Sequence, residues 1–247
     1  MFFIPLFLSN LTTRRIAQKI EYIQTTGSTN ETIYNMFKNG TIKEGNVLIS
    51  EEQTRGKGRR GDKWFSSYGK NLTFSFIISN KNEDLIKKLP LITGISIVEA
   101  IKQLTRIDCN LKWPNDILYK AKKLGGVLIE QKKNQFIIGM GINVNEIEFN
   151  PSIKNEACSL QSILNYSTQR EPLLAFIFNH FEKLLEEDIE NITEKWEALC
   201  NHINKPIRFS DYSKIFEGEF LGLNKDGEAK IKFNQKEKII QSGVINY

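Results

Sequence analysis

The chain has 247 residues, 40% hydrophobic and 26% charged, which suits one large soluble domain or a domain with a small appendage. Its net charge of +5 fits anionic ligands and is too small to argue for nucleic acid by itself. Cys109, Cys158 and Cys200 lie far apart, and only His180 and His202 join them, which disfavours a Cys/His metal centre or a Ser-His-Asp triad. The thiols read as free cysteines of a reducing, cytoplasmic compartment.

Phe2 to Leu8 is apolar but too short to span a bilayer, contains Pro5 and lacks a basic lead. It predicts a packed terminal strand, with no membrane attachment. Glu21 to Gln24 predicts a short strand. Ser28-Thr29-Asn30-Glu31 then has the Ser-x-x-Glu pattern of a capping box. Ile33, Met36 and Phe37 follow at helical spacing, so a helix runs to about Lys38 and stops near Gly40. Asn46 to Glu51 and Leu72 to Ile78 read as strands.

Ile97, Val98, Ile101 and Leu104 give the buried face of a helix over Ile95 to Leu104. Leu111 to Trp113, Asp116 to Tyr119, Gly126 to Gln131 and Phe136 to Val144 are strand-like. Glu171 and Pro172 open a helix whose apolar stripe runs from Leu173 to Leu185 and ends near Glu187. His180 falls within that pattern and reads as structural. Trp196 packs in a short following helix. Beyond Lys205-Pro206 the texture changes to short alternating runs, with Asp226-Gly227 as a hairpin turn. That predicts a small β-barrel of about 40 residues, an SH3-like size. The boundary places a main domain at 1–204 and a small one at 205–247. The main domain is α+β, with mixed or antiparallel strands grouped more than alternating with helices.

Between two predicted strands lies Arg55-Gly56-Lys57-Gly58-Arg59-Arg60-Gly61-Asp62-Lys63-Trp64. Gly56-x-Gly58-x-x-Gly61 spells the dinucleotide fingerprint, which works only where it opens a helix. Here Asp62 to Gly69 leads into a strand, so that reading fails, and no Gly-Lys-Ser/Thr sequence supports a Walker loop. The segment is either a solvated basic loop or an anion cradle that orders over its ligand, with Trp64 and Phe65 as apolar cover.

A second constellation joins Lys112-Trp113-Pro114-Asn115-Asp116 to Lys122-Lys123-Leu124-Gly125-Gly126-Val127-Leu128-Ile129-Glu130. Pro114 forces an extended or turn backbone at Trp113. Lys122 reads as an exposed hairpin tip. Lys123 is either solvated or turned inward as a point charge for phosphate. Asp116 could hold a metal on phosphates or orient an amine.

Taken in order, these pieces resemble the biotin–protein ligase family. They are Ser28-Thr29-Asn30, Gln53 with the Gly56 to Trp64 loop, Lys112 to Asp116, Lys123 to Glu130, and Gly139-Met140-Gly141-Ile142-Asn143-Val144-Asn145. The resemblance runs from about Glu21 to the end. It implies a class II synthetase-like core of mixed sheet and helices with an SH3-like barrel at the C-terminus. It further implies an enzyme that activates biotin as biotinyl-5'-AMP and transfers it to a lysine of a biotin carboxyl carrier protein. ATP and biotin are then substrates, with magnesium on the ATP phosphates and no metal held by the protein.

The same resemblance implies the site. Ser28, Thr29, Asn30, Gln53, Lys57, Gly58, Arg59, Lys123, Gly125 and Gly126 would meet biotin. Arg59, Arg60, Trp64, Asn115, Lys123 and Asn143 would meet the nucleotide. Lys123, Arg59 and Asp116 would carry the chemistry. Lys57 stands where many members have arginine, which keeps the charge without the bidentate fork. Only about 25 residues precede Ser28, too few for a DNA-binding module, so a ligase without repressor activity is expected. A homodimer is an option the resemblance leaves open.

Two rivals remain on the residues. A lipoate–protein ligase or octanoyl transferase shares the core, although the Lys-Trp ending of the basic loop and the small C-terminal domain favour biotin. A non-catalytic nucleic-acid binder would use the basic loop, the aromatics and the barrel.

Overall fold

The computed structural model describes residues 1–79, 83–210, 215–234, 236–241 and 243–246, with the side chains of 83, 84 and 246 excepted. Its N-terminus corrects the expected terminal strand: Ile4–Asn10 is a helix, α1. Pro5 sits in the first turn, where its missing N–H and fixed φ cost nothing. Phe2 and Phe7 are buried, while Phe3 and Leu8 face outward, an inside–outside split that suits a helix.

The chain then enters β1 (Ile20–Thr26), α2 (Thr29–Lys38), β2 (Val47–Gln53), β3 (Leu72–Ser79), α3 (Glu83–Thr105), β4 (Asn110–Lys112), β5 (Asp116–Tyr119), β6 (Lys122–Lys132) and β7 (Gln135–Ile142). These strands make one sheet in the order β1-β2-β3-β7-β6-β5-β4. β1 and β2 are parallel, with α2 as their crossover, and the other neighbours are antiparallel. Central strands are covered on both faces, so they are apolar on successive residues.

Three α-helices follow: α4 (Leu160–Leu164), α5 (Arg170–Leu184) and α6 (Ile189–Ala198). On β3, Phe74 and Phe76 point to α5, where their rings meet Phe178 and Phe181 edge-on at 5.1–5.6 Å. The intervening residues turn the other way, and Ile77 packs with Ile33 of α2, Leu48 and Ile137. That alternation leaves Ser75 buried under the N-terminus of α2. α3 begins about three turns earlier than expected and carries Pro90 inside it. That proline hides the first turns from sequence reading, because it normally breaks a helix. The short α4 has a true capping box, Ser159 with Ser162.

The expected box at α2 does not form. Ser28 is its N-cap by position but makes no side-chain cap bond, and Glu31 reaches Lys57 instead. The first-turn N–H of Thr29 is satisfied from β2, by Gln53 Oε1 at 2.8 Å.

A second, antiparallel sheet is built from β8 (Lys205–Ser210), β9 (Ile215–Leu223), β10 (Ala229–Phe233), β11 (Lys236–Ile240) and β12 (Val244–Asn246), ordered β11-β10-β9-β8-β12. Asp226-Gly227 turns β9 into β10, with Gly227 at φ 76°. This sheet fits the SH3-like domain. It docks on α3, α6 and the turn after α6: Lys87 pairs with Asp226 at 2.7 Å, and Phe220 lies 6.5 Å from the Trp196 ring and 4.5 Å from the His202 ring. Burial holds the His202 imidazole down, at about 4, so it packs there uncharged. Among the described residues, no helix is long and apolar enough to cross a membrane.

Under the other end of the sheet lies a buried ion pair. Arg170 meets Glu51 through two nitrogens, at 2.5 and 3.1 Å, and also donates to the Asn71 carbonyl at 2.9 Å. Tyr22 Oη and the Phe2 N–H donate to the same carboxylate at 2.8 and 2.9 Å. Burial alone would raise the Glu51 pKa, but Arg170 and the Tyr22 hydroxyl outweigh it and hold it below its ordinary value.

Candidate active site

One cleft gathers most of the residues singled out from sequence. Ser28, Thr29, Asn30, Gln53, Lys57, Gly58, Arg59, Arg60, Trp64, Asn115, Asp116, Lys123 and Gly126 all line it. Two do not. Gly125 is buried where β6 pairs with β7, and a Cβ there would sit 2.9 Å from the Gly141 carbonyl. Asn143 is buried too, its amide donating to the Cys158 carbonyl at 3.1 Å and lying 3.5 Å from the Lys123 carbonyl. It ties down the strand that carries Lys123.

The basic loop forms one wall. It is a small hairpin: Lys57 bridges Lys63, Gly58 N–H donates to the Asp62 carbonyl at 2.7 Å, and Trp64 N–H donates to Gly56 at 3.0 Å. A single 3₁₀ turn spans Arg59–Gly61, with Arg60 in the left-handed region at φ 54°. No α-helix starts here, which removes the dinucleotide fingerprint. Arg59 points inward, 3.4 Å from both Asn115 Oδ1 and the Gly243 carbonyl. Arg60 donates to the Ser210 carbonyl at 3.3 Å. The loop therefore touches the second sheet on its rim, and Gly243, Val244 and Ile245 line the cleft with it. Lys57 turns to the exposed Glu31, whose carboxyl it holds below the ordinary range.

Trp64 lies flat across β7. A Cβ on Gly141 would collide with its indole ring, so only glycine lets the ring rest there. Its Nε1 is buried with no hydrogen-bond partner among the described residues.

The opposite wall comes from the turn between β4 and β5. The Trp113–Pro114 peptide is cis. Asn115 clamps the turn to β6, donating through Nδ2 to the Val127 carbonyl at 2.8 Å and accepting Val127 N–H at 3.0 Å. Asp116 Oδ1 then meets Lys123 Nζ at 2.5 Å. Lys112 pairs in register with Asp116 across the hairpin. Burial lowers its pKa, a shift that the Asp116 charge partly opposes.

The floor is polar and uncharged. Thr29 and Asn30 are buried there, with Ser75 buried behind them. Ser75 Oγ lies 2.6 Å from Asn30 Oδ1 and 2.7 Å from Thr29 Oγ1. Gln53 Oε1 is 3.0 Å from Thr29 Oγ1, and Asn30 Nδ2 donates to Glu130 at 2.8 Å.

Sequence reading missed Ser75, and it gave no site role to Lys112 and Glu130, although both stand in the motifs it singled out. A serine between Phe74 and Phe76 in an apolar strand was the available signal, because a buried hydroxyl needs a partner. Among the described residues no group of three His, Cys, Asp or Glu side chains could hold a metal. Burial pushes the Cys109 and Cys200 thiols up to about 12 and Cys158 to about 11, which leaves them unreactive.

A model of the biotin/lipoate A/B protein ligase family matches residues 22–145, half of the chain. The chain belongs to this family. Within it, the chain is 31% identical to the bifunctional ligase/repressor BirA of Escherichia coli, over 81% of its own length and 65% of that relative's. It is 28% identical to BirA of Bacillus subtilis, over 95% of its length and 76% of that protein. The biotin protein ligase of Aquifex aeolicus, solved with biotin and ATP, superposes with a TM-score of 0.83. That match is 32% identical and covers 93% of this chain and 98% of that one. The family model ends at 145, so α4 to α6 and the second sheet lie beyond it.

Proposed function

We propose that the chain is an ATP-dependent biotin–protein ligase, forming biotinyl-5'-AMP and passing biotin to a lysine of a biotin carboxyl carrier protein. One observation carries the reading: a single cleft sets Lys123 and Arg59 on facing walls above an uncharged, hydrogen-bonding floor. The likeness to a ligase solved with biotin and ATP supports it.

The first step brings a carboxylate to the α-phosphorus of a triphosphate, like charge against like. Lys123, Arg59 and Lys112 offset that repulsion and stabilise the charge that develops on the phosphoryl oxygens. Magnesium enters on the ATP, where it neutralises phosphate charge. The product is a mixed anhydride that water destroys. The hairpin from Gly56 to Trp64 excludes water until the acceptor docks, with Arg59 holding the phosphate and Trp64 covering the nucleotide. In the second step a neutral lysine amine attacks the acyl carbon and AMP leaves. Asp116 orients that amine. Residues 1–204 form the catalytic domain, and 205–247 form a small domain that completes the cleft rim at Gly243 to Ile245.

The rival acyl substrates, lipoate and octanoate, fit the cationic walls equally well. The floor favours biotin, because its hydroxyl and amide groups suit a ring urea better than a saturated chain. Biotin-dependent exchange of pyrophosphate into ATP tests the reading. Exchange with octanoate or lipoate but not with biotin would replace it.

A further inference from the structure

The cleft floor carries one more inference, which rests on the biotin reading above. We propose that Glu130 sets the hydrogen-bond polarity of that floor, so that it selects a ring with N–H donors.

Two groups have fixed roles. The Leu128 carbonyl, 3.4 Å from Asn30 Nδ2, and the Glu130 carboxylate, 2.8 Å from it, only accept. The side of Asn30 that faces them is therefore its NH₂. Asn30 Oδ1 then faces Ser75 Oγ at 2.6 Å, so Ser75 donates to it. A serine hydroxyl has one proton. Ser75 then has no proton left for Thr29 Oγ1, 2.7 Å away, and that short contact closes only when the Thr29 hydroxyl turns to Ser75. At the far end, the backbone N–H of Thr29 donates to Gln53 at 2.8 Å, which identifies that Gln53 atom as the oxygen. Three oxygen–oxygen contacts thus share two hydroxyl protons, and the longest, Thr29 Oγ1 to Gln53 Oε1 at 3.0 Å, is the one left without a proton when the Thr29 hydroxyl turns to Ser75.

Both oxygens belong to residues that line the cleft. Two acceptors so close, with no shared proton, repel each other and leave lone pairs unmet. A ligand that donates N–H groups relieves both. A ring urea brings two such donors, whereas a dithiolane or a saturated chain brings none and leaves the acceptors unpaired beneath it. The relay runs from Glu130 through Asn30, Ser75 and Thr29 to Gln53. Glu130 and Ser75 lie outside the cleft lining and act as positioning residues. Gly139 makes room for the relay, since a Cβ there would strike the Asn30 side-chain oxygen.

The test is calorimetric binding of biotin and of octanoate to the full chain, with unfolding midpoints read alongside. Ser75→Ala releases the Thr29 hydroxyl to donate to Gln53, which fills both acceptors. Biotin affinity then falls about tenfold, while octanoate affinity changes by less than about threefold. Asn30→Asp sets two carboxylates against each other and weakens biotin binding. Adding Glu130→Gln to it exchanges donor and acceptor across one contact without changing shape. The double variant therefore recovers biotin affinity to within about threefold of wild type. Unchanged biotin affinity in Ser75→Ala overturns the proposal, as does a folded double variant no better than Asn30→Asp alone. Should the double variant not fold, Ser75→Ala decides. Wild type that fails to bind biotin would instead remove the functional reading itself.

Discussion

Lys123 Nζ rests 2.5 Å from Asp116 Oδ1, so the cation proposed for the phosphate is paired with the carboxylate proposed for the acceptor amine. The lysine side chain is 41% exposed and the aspartate 22%, so the pair is partly solvated and contributes little to stability. Its use is positional. Lys112, in register with Asp116 across the hairpin, is a second cation beside the pair.

Lys123→Ala is expected to slow adenylate formation by about 10²–10³-fold, the cost of removing one charge-stabilising group. The unfolding midpoint should hardly move. Pyrophosphate release measured over a single turnover checks this, and near-normal release would remove Lys123 from the phosphate site.

Arg59→Gly is expected to let biotinyl-adenylate escape. Arg59 ties the loop to Asn115 and to the Gly243 carbonyl, so its loss frees the hairpin from two walls of the cleft. Radiolabelled adenylate should appear in bulk solution within the dead time of a spin column. An intermediate held as tightly as by wild type would show that the loop is not the lid.

Much of this was legible in the chain. Strand positions followed from apolar runs, and α2 and α5 from helical spacing with Gly40 and Pro172 as punctuation. The cleft-lining set was legible because its residues sit in a few ordered motifs. What escaped had physical causes. α1 is too short for periodicity to separate it from a strand, and Pro90 masks the start of α3. Ser75 and Glu130 are polar residues inside strands, and their roles come from partners about 45 and 100 positions away, a separation no local pattern encodes. Asn143 sits in a matching motif, yet its amide is spent on holding the Lys123 strand.

Glu51→Ala should destabilise the fold by about 3–5 kcal/mol, because it leaves the Arg170 charge buried without its partner. The same pair sets an acid limit. Glu51 titrates below its ordinary value when folded, so its contribution is complete above the usual carboxylate range. It is lost as pH falls through the folded value. Urea unfolding between pH 7 and 3 should show wild-type stability falling on the acid side, with a shallower fall in Glu51→Gln. Parallel pH profiles would contradict this.

The most direct test of the central claim is incubation with ATP, magnesium, biotin and a biotin carboxyl carrier domain, reading the carrier's mass and the AMP released. A ligase adds one biotinyl group to one carrier lysine for each AMP formed, and does so only when biotin is present. A carrier of unchanged mass, or AMP release indifferent to biotin, would contradict it.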